Sequence, residues 1–186
     1  MSEERDYLPD ETQMSLEFSI LFDSPWLQVR QCEGWYTYVH THNAVVYVLP
    51  YRYSASGLEL LARFEVCPAH SPYREQTSIT GQHAPDADPR ETARRELAEE
   101  AGYSVAIEQL QPLGKFDLVK FADILGHLFA VDVTGMAQHD APGDGSRGEA
   151  GSYCQWIRYE EANRTTCPVF LAMMTLAGLN HDKERD

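Results

Sequence analysis

The stretch Arg95-Glu96-Leu97-Ala98-Glu99-Glu100-Ala101-Gly102-Tyr103 decides how this chain is read. It closes a segment that carries helix signals at both ends. Asp88 is a strong N-cap residue, Pro89 suits the first helical position, and Glu91, three residues after the cap, makes an acidic analogue of the capping box. Gly102 is the usual C-terminal stop. A helix over Asp88 to Ala101 follows. At about 100° per residue, Glu96, Glu99 and Glu100 fall within an arc of about 100°, beside an apolar stripe of Ala93, Leu97 and Ala101. Three carboxylates thus point to one side at the edge of the core. Like charges at i, i+3 and i+4 repel, which costs stability unless a cation sits among them. Hard, oxygen-seeking ions such as Mg²⁺ or Mn²⁺ suit that donor set. The plainer reading is a solvated helix face on which Arg90, Arg94 and Arg95 pair with the glutamates. The fixed order of the residues, with a glycine upstream, favours the cation.

Taken with that glycine, the stretch resembles the Nudix box, Gly-x5-Glu-x7-Arg-Glu-U-x-Glu-Glu-x-Gly-U with U a bulky apolar residue. Gly81 is followed by five residues, then Ala87, then seven more, and then Arg95 to Tyr103. Every fixed position matches except the first Glu, where Ala87 stands. The resemblance implies an α/β (α+β) Nudix fold, a mixed β-sheet sandwiched between helices, and hydrolysis of a nucleoside diphosphate linked to another moiety. It makes Glu96, Glu99 and Glu100 the metal ligands, with Mg²⁺ or Mn²⁺ as the ion. Arg95 would orient a glutamate of the cluster through an ion pair, and Gly81 would let the backbone pass close to metal and phosphate. Ala87 departs at a position that supports the box, which puts full activity in question more than the fold. Asp86, Asp88 and Glu91 are near enough in sequence to replace it in part.

Outward from the box, apolar and aromatic segments alternate with turn residues. Leu16 to Phe22, Trp26 to Gln31, Trp35 to Thr41, Ala44 to Tyr53 and Leu58 to Val66 read as strands, and Thr77 to Thr80 as a short one. Beyond the helix, strands are expected at Tyr103 to Leu110, Leu113 to Val119, His127 to Val133 and Tyr153 to Arg158. A short helix begins at Tyr159 and a buried one covers Pro168 to Leu179. The organisation is a tail and β-hairpin extension over residues 1–41, followed by the hydrolase domain over 42–186. Gly135 to Gly151 holds five glycines and one proline, too permissive for regular structure. It is either a disordered insertion or a mobile lid. The resemblance places a mobile catalytic glutamate here, and Glu149 is the choice, with Asp140, Asp144 and His139 behind it. Arg52, Arg63 and Arg74 are candidates to hold phosphate oxygens.

Composition closes off other classes. With 186 residues the chain is one domain's length. Its 15 Lys and Arg against 29 Asp and Glu give a net charge of −14, which disfavours nucleic acid and anionic membranes as partners. An acidic N-terminus and the lack of a long apolar run predict a cytoplasmic protein. Cys32, Cys67, Cys154 and Cys167 lie far apart, with no Cys-x-x-Cys pair and no matching His spacing, so neither a zinc knuckle nor a disulfide scaffold is expected. An acidic protein and an anionic diphosphate meet through divalent ions that neutralise both. The first functional expectation is therefore a metal-dependent pyrophosphatase acting on a small nucleotide, ADP-ribose or a nucleotide sugar. That choice rests on the strands ahead of the box, whose Trp26, Trp35 and Tyr38 in the ADP-ribose branch would pack across a homodimer and lend a ring to the base. Core packing is the plainer reading of those rings. The alternatives are hydrolysis of a nucleoside triphosphate or dinucleoside polyphosphate, or a Nudix-like binding domain with weakened catalysis.

Overall fold

A computed structural model of the chain describes residues 17–25, 27–32, 34–84, 86–141 and 151–179, apart from the side chains of residues 40–43. Nine strands and three α-helices make up the described fold: β1 (Ser19–Asp23), β2 (Leu27–Cys32), β3 (Trp35–Ser54), β4 (Gly57–Val66), β5 (Arg74–Thr77), β6 (Ile79–His83), α1 (Pro89–Ala101), β7 (Gln111–Val119), β8 (Ala122–Asp132), β9 (Tyr153–Arg158), α2 (Tyr159–Ala162) and α3 (Pro168–Leu176).

β3 organises the sheet. Its first residues pair antiparallel with β2, which in turn pairs with β1, so the N-terminal extension is a three-stranded meander. Its middle, Ala44 to Val48, lies between β6, antiparallel, and β8, parallel. Its end pairs with β4, which also carries β5 and β9. The sheet is mixed and curled, as a Nudix fold requires. The two segments expected at Trp35 to Thr41 and Ala44 to Tyr53 are one strand, because His42-Asn43 brings neither glycine nor proline to turn it.

Alternation along the strands divides two cores. Val46, Val48, Leu61 and Ile79 face Ala93, Leu97 and Ala101 of α1. Leu49, Leu60, Leu128 and Ile157 pack with Ala162 of α2 and Phe170, Met173 and Met174 of α3. Neighbours such as Val48 and Leu49 point to opposite sides of the sheet, which is how it comes to lie between helices.

One expected strand is not formed. Tyr103 to Leu110 is irregular and ends in a 3₁₀ turn at Ile107–Gln109. Tyr103, Val105 and Leu110 are buried in the core beside α1. Apolar alternation there records burial without a partner strand, since the Tyr103 N–H is taken by the Leu97 carbonyl at the end of the helix. The short strand expected at Thr77 to Thr80 is two, β5 ending at Thr77 and β6 beginning at Ile79. Among the described residues no helix is long and apolar enough to cross a membrane.

Candidate active site

The box helix ends as its sequence requires. The Asp88 carboxylate accepts from the Arg90 N–H at 2.9 Å, and Gly102 takes the left-handed conformation with φ of 72°. Gly102 is needed twice over, because a Cβ there would also collide with the His139 carbonyl. The segment leading into the glycine-rich loop is seated against this end of α1: His139 donates its N–H to the Gly102 carbonyl at 2.9 Å, and Gln138 donates to the Ala101 carbonyl at 3.0 Å. Residues 134–141 form no helix or strand. Asp144 and Glu149 lie outside the described residues.

Glu96 and Glu100 turn to the buried side of α1 and Glu99 lies at its margin. The Arg95 guanidinium spans Glu96 and Glu99, at 2.5 Å from each. Glu100 reaches the sheet instead. One carboxylate oxygen lies 3.3 Å from the Arg63 guanidinium on β4, and the other accepts from the Thr80 N–H on β6 at 3.3 Å. Burial pushes the Glu100 carboxyl up to about 8 against the pull of Arg63, and Glu96 and Glu65 add to the rise. The rise is the cost of burying a carboxylate, which Arg63 offsets only in part. The carbonyl of the same residue accepts from the Cys154 thiol at 3.3 Å.

Gly81 lies on β6 across from Glu96. A Cβ built on it would fall inside 3.0 Å of Glu96 Oε1, Cδ and Cγ, so the glycine is a recess that the carboxylate fills. Hard oxygen donors in a like-charged set on one helix face suit a divalent cation at Glu96, Glu99 and Glu100, but the three carboxylates do not converge on one point here: Glu96 and Glu99 turn to Arg95, and Glu100 turns to Arg63 and the Thr80 N–H. Arg95 carries the positive charge between two of the three here.

The arginines expected at phosphate are otherwise engaged. Arg63 is only 3% exposed and is shared between Glu65, at 2.9 Å, and Glu100. Arg52 pairs with Glu59 at 2.7 Å and lies over the Trp156 ring, 4.1 Å from its centroid. Arg74 donates to the Gly151 carbonyl at 2.6 Å, pinning the chain where it leaves residues 142–150. Ala87 sits in an exposed turn, and two of the three acids considered as its substitutes have other partners. Asp88 caps the helix and Glu91 pairs with Arg94 at 2.9 Å.

Sequence reading missed the Thr80 N–H and the role of Arg63 as a positioning residue for Glu100. An arginine near the middle of β4 among Leu60, Leu61, Ala62 and Phe64 was the available signal, since a charge in so apolar a strand needs a buried partner.

A family profile described as NUDIX domain matches residues 32–172. Curated proteins give no match. Among solved structures, the chain is similar to one titled as a MutT/nudix family protein from Enterococcus faecalis, with 15% identity, a TM-score of 0.48, and coverage of 62% of this chain and 43% of that one.

Proposed function

The chain belongs to the Nudix family, and from that premise we propose that it hydrolyses the pyrophosphate bond of a nucleoside diphosphate derivative, ADP-ribose or a nucleotide sugar, as a cytoplasmic homodimer. Membership implies a hydrolase of nucleoside-diphosphate-linked compounds, in a family that generally uses divalent metals. The observation that carries the reading is the disposition of Glu96 and Glu100 against Gly81 and Thr80 of β6, which aims box carboxylates at a recess in the sheet edge.

Bound at Glu96, Glu99 and Glu100, Mg²⁺ or Mn²⁺ would polarise the phosphoryl group and acidify a water. Arg95 holds Glu96 and Glu99 in one orientation. Arg63 and the Thr80 N–H hold both oxygens of Glu100, so that a cation bound there would take the place of its proton. Glu149 is proposed as the general base, delivered by the segment between Ala141 and Gly151. Arg52 and Arg74 are kept as candidates for phosphate oxygens, each after exchanging its present partner.

The substrate branch and the dimer are supported by the extension. Trp35 is 61% exposed, Tyr36 54% and Tyr38 40%, on a meander whose β1 also exposes Ile20, Leu21 and Phe22. Core packing, the plainer expectation for Trp35 and Tyr38, does not account for them. An apolar face of this kind fits a second copy, with one ring stacked on a base.

A panel of nucleoside diphosphate derivatives and triphosphates, incubated with Mg²⁺ or Mn²⁺ and read by mass spectrometry, tests the activity. Glu99→Gln should lower the rate at least about a hundredfold, on the scale of losing a transition-state stabiliser. Full rate in excess EDTA refutes the metal reading. A chain beginning at Thr41 should lose both dimerisation and ADP-ribose hydrolysis. A monomer by light scattering that prefers triphosphates overturns the branch.

A further inference from the structure

The turn between β4 and β5 gathers a second set of metal-binding side chains, unlike the box in chemistry. The His70 and Ser71 N–H groups both donate to the Cys67 carbonyl, at 2.8 and 3.0 Å, and this turn brings residues i and i+3 to one side. Cys67 and His70 therefore stand in a Cys-x2-His spacing, which corrects the expectation that no histidine is spaced to match a cysteine. Closure of the β4–β5 hairpin brings a third donor, Glu75, whose carboxylate lies 3.4 Å from His70 Nδ1. The Cys67 sulfur, a His70 ring nitrogen and a Glu75 oxygen all lie within 4.8 Å of one another.

We propose that Cys67, His70 and Glu75 form a zinc-binding site, with water completing the fourth position. Zinc bonds of about 2.3 Å to sulfur and about 2.0–2.2 Å to nitrogen and oxygen set neighbouring ligands of a tetrahedron about 3.3–3.8 Å apart. The His70–Glu75 separation already has that length. The other separations lie within 4.8 Å, so closing on an ion asks for about an ångström of side-chain movement.

A separate feature of the hairpin calls for positive charge. Glu65 and Glu75 are directly opposed across β4 and β5, a like-charge pair that destabilises a sheet. Arg63 answers Glu65 but is also shared with Glu100, which leaves Glu75 with His70. A thiolate with imidazole selects zinc over the hard ions suited to the box. The ion would act as a clasp on the hairpin turn.

The test uses the full chain, stripped with a chelator and titrated with Co²⁺ as a zinc surrogate and then with Zn²⁺. Co²⁺ should give a sulfur-to-metal charge-transfer band, which the all-oxygen box cannot produce. One equivalent of Zn²⁺ should abolish the band and a millimolar excess of Mg²⁺ should leave it. Cys67→Ser should remove it, and His70→Ala should weaken Zn²⁺ binding at least about tenfold. Glu99→Gln should leave it intact. His70 is exposed, so the metal-free melting temperature of His70→Ala should match wild type and rule out unfolding as the cause. Absence of a sulfur band, or its persistence in Cys67→Ser, overturns the site.

Discussion

Gly81→Ala puts a methyl group into the recess that Glu96 fills, and its consequences for stability and for metal binding are opposite in kind. The added Cβ falls inside 3.0 Å of three Glu96 atoms, whereas ordinary contact begins near 3.4 Å. The Glu96 side chain must therefore retreat by about an ångström or more. Glu96 is a flexible side chain and can do so by changing rotamer at a cost of about 1 kcal/mol. Gly81 lies in an extended strand without positive φ, so alanine there returns about 0.4–1 kcal/mol by restricting the unfolded chain. The Arg95–Glu96 pair that is disturbed is half-exposed on the arginine side and contributes about 0–1 kcal/mol. These contributions nearly cancel, and at about 2–4 °C per kcal/mol the melting temperature should stay within a few degrees of wild type. Metal ligation tolerates only about 0.2 Å, so the shift removes Glu96 as a ligand, and a displacement near 1 Å costs on the order of a hundredfold in rate. Mn²⁺ affinity by electron paramagnetic resonance, kcat/KM on the best substrate of the panel, and a melting curve are the three measurements. Unchanged Mn²⁺ affinity and a rate within about threefold of wild type would refute the placement of Glu96 at the metal.

Other expectations concern Glu100, Ala87 and Glu149. Glu100 holds its proton up to about pH 8 in the folded chain against 4.5 when exposed, so its contribution to metal-free stability is full below pH 4.5 and is lost as pH rises to 8. The loss approaches about 1.4 kcal/mol per pH step within that window. Mg²⁺ takes the proton's place, so it should raise the melting temperature more at pH 8.5 than at pH 6; a metal-free profile identical in wild type and Glu100→Gln removes the account. Restoring the box residue with Ala87→Glu should raise turnover or Mn²⁺ affinity, while Glu91→Ala should leave both unchanged, because the Glu91 carboxylate pairs with Arg94. The reverse pattern would make Glu91 the working substitute. Glu149→Gln should lower kcat more than it alters KM, and a kcat within about twofold of wild type would eliminate it as the base.

The box helix was legible because its signals are local: the Asp88 cap, Pro89 and Gly102 each act through their own backbone, and helical spacing alone sets Glu96 and Glu100 on one side. The two-sided sheet came from the resemblance, and its physical reason appears only in the structure, where the neighbours Val48 and Leu49 enter different cores. What the sequence withheld is set by partners distant in the chain. Tyr103 to Leu110 carries the alternation of a strand, but among the described residues no strand pairs with it, and Tyr103, Val105 and Leu110 reach the core from irregular backbone. Arg63 reads as a surface arginine until β4 lies beside α1 and Glu100 comes within 3.3 Å.

That dependence on distant partners also orders how the site assembles. Glu96 and Glu99 share Arg95 within a single turn of helix and need only α1 to form. Glu100 needs β4 and β6 as well, because Arg63 and the Thr80 N–H come from different strands. Nonlocal structure therefore has to be complete before Glu100 is held, and the cost of burying it is borne by the packing of α1 on the sheet through Leu97, Ala93 and Ala101. A cavity beneath the helix, as in Leu97→Ala, removes about 2–5 kcal/mol of that packing and loosens the one ligand whose placement spans three elements. Arg95 stays with its two glutamates throughout. Weak packing under α1 thus acts on Glu100 before it acts on Glu96 or Glu99, although all three stand within five residues of one another.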